Sequence, residues 1–342
     1  RWRYRVHEQI LPALRATGAG VRWSGVTVTH VGYVDPALRR RKLARDLRLL
    51  ERERAEQPGD PFTLFNLGSV YHELGDLPAA VGALGESLRR SHPKDSIVRK
   101  LYALLAQCHA KQGDPAAARA ACREGRGHYP DDAELLFTEA SLARAAGDAG
   151  VAEELLVRLV GGADGAHFGS VDTGLRGHKG RHNLACLYFD AGRLPEAEAQ
   201  WRAAVADAPG FVPARVGLGE LALRRGDWAG LEQVATTLEA LGPTAAAEAA
   251  VLRGRTKAER GDPAGACADL AAVAEQFPGA VAPRAAWMQL LVKAGAGPAE
   301  LEPAIRAVLA VAPGHAQARH NLEVLLRTTG RWIESGFPPG ES

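Results

Sequence analysis

Residues 182–211 read HNLACLYFDAGRLPEAEAQWRAAVADAPGF, and this stretch sets the architecture of the chain. It contains two apolar stripes at helical spacing, each followed by a helix breaker: Leu184, Ala185 and Tyr188 before Gly192, and Ala197, Trp201 and Ala204 before Pro209. The pattern predicts two helices joined by a tight turn. Because a hairpin of this size cannot bury both stripes alone, it needs neighbours of the same kind.

The neighbours are visible as a regular series of helix-breaking residues. Glycines recur at intervals of 38, 34, 45, 34, 35, 34 and 35 residues, at Gly75, Gly113, Gly147, Gly192, Gly226, Gly261, Gly295 and Gly330. Prolines follow the same spacing, at Pro130, Pro209, Pro243, Pro278 and Pro313. A fixed period of about 34 residues predicts a repeat architecture, and the single long interval indicates one insertion.

The repeated unit resembles the tetratricopeptide repeat, a two-helix unit with Leu-Gly or Leu-Ala, then Tyr, Ala, an aromatic residue and Pro. Leu67 and Gly68, with Tyr71 and Ala80, fit that pattern, as does the whole stretch from 182 to 211. The resemblance implies an all-α fold, a right-handed solenoid of about seven hairpins plus a terminal helix. We place this solenoid at residues 61–331, followed by a flexible tail at 332–342.

The overall charge of +2 hides an asymmetry. Residues 1–58 carry 13 Lys or Arg and 6 Asp or Glu, whereas the remainder carries 29 and 34. A basic segment is typical of proteins that bind nucleic acids or anionic lipids. Its densest run, residues 39–42, lies in a predicted helix that also carries Glu51, Glu53 and Glu56, which favours a solvated helix face. We therefore expect no nucleic-acid partner.

Cysteine usage and hydropathy exclude several classes of protein. The four cysteines, Cys108, Cys122, Cys186 and Cys267, are far apart and form no Cys-x-x-Cys pair, which argues against a zinc site and a disulfide framework. Each lies in a predicted helix, where a small buried thiol is the usual role. No apolar run is long enough for a membrane span, and no signal peptide is recognisable at the start. These features predict a cytoplasmic protein.

The first 60 residues differ from the repeats. Residues 21–31, VRWSGVTVTHV, alternate as a strand does, and a strand needs a sheet to pair with. Asp35 followed by Pro36 predicts the start of a helix that runs to about Glu56. We therefore interpret residues 1–35 as a remnant of an α/β domain, joined to the repeats by a helical connection at 36–60.

Three N-terminal motifs resemble the closing segment of the family 2 glycosyltransferases that carry C-terminal tetratricopeptide repeats. They are RVHEQI at 5–10, VTHVGY at 28–33, and Lys42 with RDL at 45–47. In that family a Val-His-Glu element ends the sugar-nucleotide-binding domain, a strand ending in His-x-Gly-Tyr follows, and a long helix leads to the repeats. The resemblance implies a full-length enzyme that uses a nucleotide-sugar donor and a divalent metal ion. The family's Asp-x-Asp motif is absent here, so we expect this chain to lack the donor-binding part and to be inactive alone.

The N-terminal motifs also supply candidate site residues. His7 and Glu8 are candidate catalytic residues, because an acid–base pair suits activation of an acceptor hydroxyl. His30 is a candidate metal ligand, because imidazole suits transition metals. The alternatives are that His7 pairs with a nearby carboxylate for structural reasons and that His30 merely ends a strand.

The repeats are expected to bind a partner, because stacked hairpins expose the first helix of each pair along a concave face. Candidate partner-binding residues lie on three of these helices: Phe65 and Asn66; Lys179, His182 and Asn183; His320 and Asn321. In chaperone-binding members of the repeat family, Lys and Asn at such positions hold the C-terminal carboxylate of a peptide. The full paired set is missing here, and the alternative is that each asparagine bonds to neighbouring backbone.

The insertion at residues 161–180 is rich in Gly and in functional side chains, namely His167, Phe168, Asp172, Arg176, His178 and Lys179. Long insertions in compact arrays are functional or disordered. We predict a contact with a partner or acceptor, with a plain flexible loop as the alternative. At repeat positions, Trp201, Trp228 and Trp287 are predicted to belong to the core.

Two functional hypotheses follow. The first is that the chain is the protein- or glycan-acceptor-binding repeat region of a family 2 glycosyltransferase. The second is a non-enzymatic adaptor that binds peptides on its concave face.

Overall fold

A computed structural model describes residues 4–6, 14, 17–18, 20, 36–93, 95–163 and 172–331. Sixteen α-helices and no strand lie within these ranges. Several predictions fall outside the described residues: the candidate catalytic pair His7 and Glu8, the candidate metal ligand His30, the strand at 21–31 and the tail at 332–342.

The helices follow one another as seven hairpins, α2–α3 through α14–α15, with α1 before them and α16 after them. Their bounds are α1 Pro36–Glu56, α2 Pro61–Leu74, α3 Leu77–Arg90, α4 Val98–Lys111, α5 Pro115–His128, α6 Ala133–Ala145, α7 Ala149–Gly161, α8 His178–Asp190, α9 Leu194–Asp207, α10 Val212–Arg225, α11 Trp228–Glu239, α12 Pro243–Glu259, α13 Pro263–Gln276, α14 Val281–Lys293, α15 Pro298–Val311 and α16 Ala316–Thr328. A short 3-10 helix, Thr173–Leu175, precedes α8. The seven hairpins and the terminal helix confirm the prediction made from the repeat period.

A Gly-Asp pair makes the turn inside most hairpins. Gly75 ends α2 with φ 83°, a left-handed conformation that glycine adopts without steric cost. Asp76 then accepts a hydrogen bond from the backbone N–H of Ala79 at 3.2 Å and so caps α3. Asp132 caps α6 in the same way through the N–H of Leu135 at 2.9 Å.

The chain divides into two compact units, Arg1–Leu187 and Tyr188–Ser342. In the first unit each helix from α2 to α6 packs on the next, and the fully buried side chains include Leu67, Leu84, Leu101 and Leu135. In the second unit the same pattern runs from α9 to α16, with Leu231, Leu252, Leu270 and Met288 fully buried. Each unit therefore has a continuous core of its own.

Small residues at the repeat's Gly or Ala position allow helices to approach closely. A Cβ at Gly219 would lie 2.5 Å from Leu252 Cδ1, and a Cβ at Gly68 would lie 2.5 Å from Leu84 Cγ. Trp201 is 2 % exposed, as predicted for a core residue. Trp228, however, is 37 % exposed, so its assignment to the core is wrong. The reason is its position as the first residue of α11, where one side of the indole stays uncovered.

The helix α1 has the predicted bounds and packs on α2. Residues 4–6 also lie against this region. The Tyr4 and Phe62 ring centroids are 4.5 Å apart, the Arg5 N–H donates to the Glu53 carboxylate at 3.3 Å, and Val6 is buried with Leu50. This N-terminal segment is therefore held against the first hairpin.

Candidate partner-binding surface

The first helices of successive hairpins contact one another as well as their own partners. In the first unit α2 contacts α4, and α4 contacts α6; in the second unit α10 contacts α12, and α12 contacts α14. We use the term first-helix row for the exposed side of these helices within each unit: α2, α4 and α6 in the first unit, and α10, α12, α14 and α16 in the second. Side chains one turn apart on these helices are thereby placed side by side.

Ion pairs link neighbouring helices along the row in the first unit. Arg99 on α4 is buried and pairs with Asp132 at 2.6 Å and with Glu134 at 3.4 Å. Lys100 also pairs with Glu134. These cations are already neutralised by carboxylates of the chain, so they are poorly suited to hold an anionic ligand.

Two histidines of the first unit are held in their neutral form. Lys111 on α4 lies 2.9 Å from the His72 ring on α2, and burial followed by this lysine lowers the pKa of His72. Burial, and then Arg144, lowers the pKa of His182. Both rings therefore favour the uncharged state near neutral pH.

Phe65 and Asn66, two of the predicted partner-binding residues, lie on α2. The Phe65 ring is half-buried and its centroid lies 6.2 Å from that of Phe62. Asn66 is only 4 % exposed, and within the described residues its Nδ2 has no hydrogen-bond partner. A buried amide nitrogen without an acceptor carries an uncompensated desolvation cost.

The predicted residues on α8 are engaged by the chain itself. Lys179 pairs with Asp172 at 2.5 Å, and Asn183 Nδ2 donates to the backbone carbonyl of Lys179 at 2.9 Å. His182 Nε2 lies 3.6 Å from Cys186 Sγ. For Asn183 the structure therefore agrees with the backbone-bonding alternative.

The described part of the insertion is anchored on neighbouring helices. Asp172 caps the 3-10 helix through the N–H of Gly174 at 3.0 Å. Arg176 donates to the backbone carbonyl of Leu159 at 2.9 Å and to that of Asp131. His167 and Phe168 lie outside the described residues, so the predicted partner contact at this insertion stays a prediction.

His320 and Asn321 line a groove of about 380 Å³ in the second unit. The described residues of this groove comprise an apolar set, Val292, Ala296, Pro298, Leu301, Val324 and Leu325, and a polar set, Gln317, His320, Asn321 and Thr328. They belong to the end of α14, the start of α15 and one side of α16. None of them is Asp, Glu, Lys or Arg.

The geometry of the groove combines exposed apolar surface with oriented amides. Val292 and Val324 are each 46 % exposed. Gln317 Nε2 donates to Asn321 Oδ1 at 2.8 Å, and Asn321 Nδ2 lies 3.7 Å from Met288 Sδ. Sequence reasoning identified His320 and Asn321 but missed the two valines. The sequence did contain a signal that Val324 is exposed, because it occupies the repeat position that the polar residues Ser69 and Ser141 hold in other repeats.

The rest of the row in the second unit carries paired charges. Arg255 on α12 pairs with Glu220 on α10, and Lys293 on α14 pairs with Glu259 on α12 at 2.8 Å. Burial, and then the nearby Glu220, raises the pKa of Glu248. The uncharged groove beside α16 therefore contrasts with the charged stretch that precedes it.

Two further features bear on chemistry. Among the residues that the structure describes, no group of three or more His, Cys, Asp or Glu side chains is arranged to hold a metal ion. None of the described helices has both the length and the apolar character needed to cross a bilayer.

Comparison with known proteins agrees with the repeat architecture. Models of the tetratricopeptide repeat match residues 61–86, 101–124 and 182–246. No curated protein sequence matches the chain. A tetratricopeptide-repeat protein from Parabacteroides merdae is 16 % identical over 78 % of this chain and 98 % of its own, with a TM-score of 0.59. The type IV pilus biogenesis factor PilW is 15 % identical over 64 % of this chain and 94 % of its own, with a TM-score of 0.52.

At such low identities the structural likeness concerns the fold alone. The matched segments span parts of both compact units, and the hairpin order agrees with the repeat period throughout the described helices. The chain therefore carries tetratricopeptide repeats.

Proposed function

We propose that the first-helix row binds an extended peptide segment of a partner protein. The groove beside α16 would hold one uncharged apolar side chain of that segment. The observation that carries this proposal is the groove itself, in which two half-exposed valines stand among amide and hydroxyl groups without a charged residue. A site of this composition suits an apolar side chain flanked by peptide groups.

The size and polarity of the groove support this assignment. Its volume of about 380 Å³ is that of a small-ligand site, large enough for one bulky side chain. Gln317, Asn321 and Thr328 offer donors and acceptors to the peptide groups on either side. Covering Val292 and Val324 would remove apolar surface from water, which favours binding.

Asn66 is proposed as a separate peptide contact, within the first unit. Its amide nitrogen lacks an acceptor among the described residues, and the half-buried Phe65 precedes it. A peptide carbonyl that accepts from this amide after a side-chain rotation would remove the desolvation cost. We also propose Lys179, His182 and Asn183 as partner contacts, with less support because all three already have partners within the chain.

The experiment is a selection of random 12-residue peptides displayed on phage, with the wild-type chain as the target. Enriched peptides are then measured by fluorescence anisotropy against Val324→Asp and against a matched control, Val157→Asp. Val157 lies on α7, outside the groove, and is 49 % exposed, close to the 46 % of Val324. Both variants introduce one carboxylate at an exposed valine.

We expect the selected peptides to carry an uncharged apolar residue and to bind Val324→Asp at least about tenfold more weakly, since a desolvated carboxylate costs more than 1.4 kcal/mol. The control should retain wild-type affinity. Equal affinities for both variants, or a consensus of charged residues, would contradict the proposal.

We further propose that these repeats serve a family 2 glycosyltransferase as its acceptor-binding region. The support is the N-terminal resemblance together with the close packing of Tyr4–Val6 on the first hairpin, which would hold a preceding domain beside the repeats. In such an enzyme His7 and Glu8 would act near the acceptor, and His30 would be a ligand of the divalent metal at the nucleotide-sugar site.

This second proposal is tested on the natural gene product. Its intact mass and N-terminal sequence are measured first, and sugar transfer from nucleotide-sugar donors is assayed with Mn²⁺ present. A longer product with transferase activity that Glu8→Gln abolishes would support the enzyme. A natural gene product without an added domain and without transferase activity would support only the adaptor function.

A further inference from the structure

A second cavity, of about 550 Å³, lies in the second unit between α11 and α12. It is distinct from the groove beside α16 and is not explained by the proposed peptide binding. Its lining includes the exposed Trp228, the residue that sequence reasoning assigned wrongly to the core, and the cations Arg253, Lys257 and Arg260. The question is which of these cations is available to a ligand.

Two of the three cations are occupied by carboxylates. Arg253 binds Glu232 at 2.6 Å and Glu239 at 3.1 Å, and these two hydrogen-bonded carboxylates raise the pKa of Arg253. Lys257 binds Asp269 at 2.7 Å and lies 3.7 Å from Asp262. In contrast, the Arg260 guanidinium makes no ion pair, side-chain hydrogen bond or ring contact with any residue that the structure describes.

The preceding repeat shows why Arg260 is left unpaired. Arg225 occupies the same repeat position, directly before the turn glycine, and pairs with Glu198 at 2.6 Å. In the next repeat Glu232 stands where Glu198 stands, six residues after the turn glycine. In this repeat, however, Glu232 pairs with Arg253 and not with Arg260.

The residue responsible is Arg253 itself. It occupies the repeat position that Leu67 and Leu184 hold elsewhere, where a leucine would be buried. As an arginine it reaches Glu232 and removes the acceptor that Arg260 would otherwise have. A single departure from the repeat pattern thus leaves an exposed guanidinium on the cavity that the exposed indole also lines.

We propose that this cavity binds an aromatic ligand that carries a carboxylate. The ring packs on the Trp228 indole and the carboxylate pairs with Arg260. The indole lines the cavity, and Trp228 is 37 % exposed, so part of the ring surface is available to the ligand. Aromatic stacking and a guanidinium–carboxylate pair are each favourable contacts. The lining also carries two carboxylates, of which Glu232 pairs with Arg253 and Asp262 lies 3.7 Å from Lys257. Trp228 and Arg260 would thus select the ring and the anion together.

The test uses the full chain and N-acetyl-L-phenylalanine as the probe. Binding is followed by two-dimensional NMR through the indole N–H signal of Trp228, which Trp228→Phe identifies. Two control probes separate the contributions: N-acetyl-L-phenylalaninamide keeps the ring without the charge, and N-acetyl-L-alanine keeps the charge without the ring. A tripeptide, N-acetyl-Gly-Gly-Phe with a free carboxylate, asks whether the ligand is a small molecule or a C-terminal aromatic residue.

The proposal predicts a saturable shift of the Trp228 signal with N-acetyl-L-phenylalanine and at least about fivefold weaker binding of both control probes, the equivalent of roughly 1 kcal/mol for each missing contact. Arg260→Gln should weaken binding by the same factor, whereas Arg225→Gln, at the equivalent but paired position, should not. Tighter binding of the tripeptide would identify a C-terminal residue as the ligand, and equal binding a small molecule.

A further variant tests the reason for the free guanidinium. Arg253→Leu restores the repeat pattern and releases Glu232, which can then pair with Arg260. We therefore expect about fivefold weaker binding of the probe even though Arg260 is retained. No shift of the Trp228 signal with the wild-type chain, or wild-type affinity in Arg260→Gln, would overturn the proposal.

Discussion

Asn66 and Asn183 occupy the same position of the repeat but differ in their hydrogen bonding. Asn183 donates to the backbone carbonyl of Lys179, whereas the amide nitrogen of Asn66 is buried without an acceptor among the described residues. An identical residue at an identical repeat position therefore has two different energetic roles. The difference lies in the neighbouring helices, which a single repeat does not encode.

A leucine in place of Asn66 should stabilise the fold. The change removes the unpaired amide at nearly constant volume, and we expect the free energy of unfolding to rise by about 1 kcal/mol in urea denaturation. The matched change Asn183→Leu, which deletes a satisfied bond, should not stabilise. If Asn66→Leu lowered the stability instead, the amide would have a structural partner and its proposed role in peptide binding would lose its basis.

The burial of His72, together with its contact with Lys111, makes the first unit sensitive to acid. Because the pKa of His72 is lowered from 6.5, the unfolded chain binds a proton more readily than the folded chain. The stability that depends on the neutral ring is present above pH 6.5 and is lost as the pH falls below it. Protonation would also place His72 and Lys111, 2.9 Å apart, in like-charge repulsion.

We expect the thermal unfolding midpoint to fall between about pH 7.5 and pH 5.5, and to fall less in His72→Gln, whose amide oxygen accepts from Lys111 at either pH. His182, whose pKa is also lowered, contributes to the fall in both proteins and therefore cancels in the comparison. Identical pH profiles for the two proteins would show that His72 does not carry this dependence.

At the scale of helices, the hairpin packing depends on glycines that face a neighbouring side chain. In the first hairpin Gly68 faces Leu84, while Gly82 on α3 has no atom within 4 Å of its missing Cβ. Gly68→Ala should destabilise the chain by about 1–3 kcal/mol, because the fully buried Leu84 must shift. Gly82→Ala should instead stabilise it by about 0.5–1 kcal/mol through helix propensity.

Chemical denaturation of the two alanine variants checks this contrast. Both substitutions add one methyl group to a helix of the same hairpin, so their opposite signs isolate the effect of close packing. Equal effects of the two alanines would mean that α2 and α3 do not approach as closely as the structure shows.

The sequence predicted the helices well because their determinants are local. The turn glycines, the aspartate caps and the apolar stripes each act within a few residues, and they predicted the seven hairpins and the final helix. Interactions between helices were not predictable in the same way. The buried ion pairs of Arg99 with Asp132 and Glu134 join residues about a full repeat apart. The exposure of Trp228 depends on whether neighbouring helices cover its ring, which the local sequence does not determine.

Candidate sites show the same division. His320 and Asn321 were identified because they are polar at a repeat position, and the structure places both on a groove. Val292 and Val324 were missed because an apolar residue in a helix is usually read as core. The unpaired guanidinium of Arg260 could be recognised only from the structure, which shows that Arg253 pairs with Glu232.

At the scale of the whole molecule, the two units offer surfaces of different character. In the first unit, the first-helix row contains several ion pairs and the buried amide of Asn66. In the second unit, the row ends in a groove without charged residues.

The central claim is that the partner binds the first-helix row and its groove, to which the first turn of α15 contributes, and not the other second helices. Hydrogen–deuterium exchange of the full chain, with and without a peptide from the selection, tests it most directly. We predict slower exchange in the last turn of α14, the first turn of α15 and along α16, with no change in α7. Protection confined to second helices such as α7 and α9, or no protection by a peptide that binds, would contradict the account.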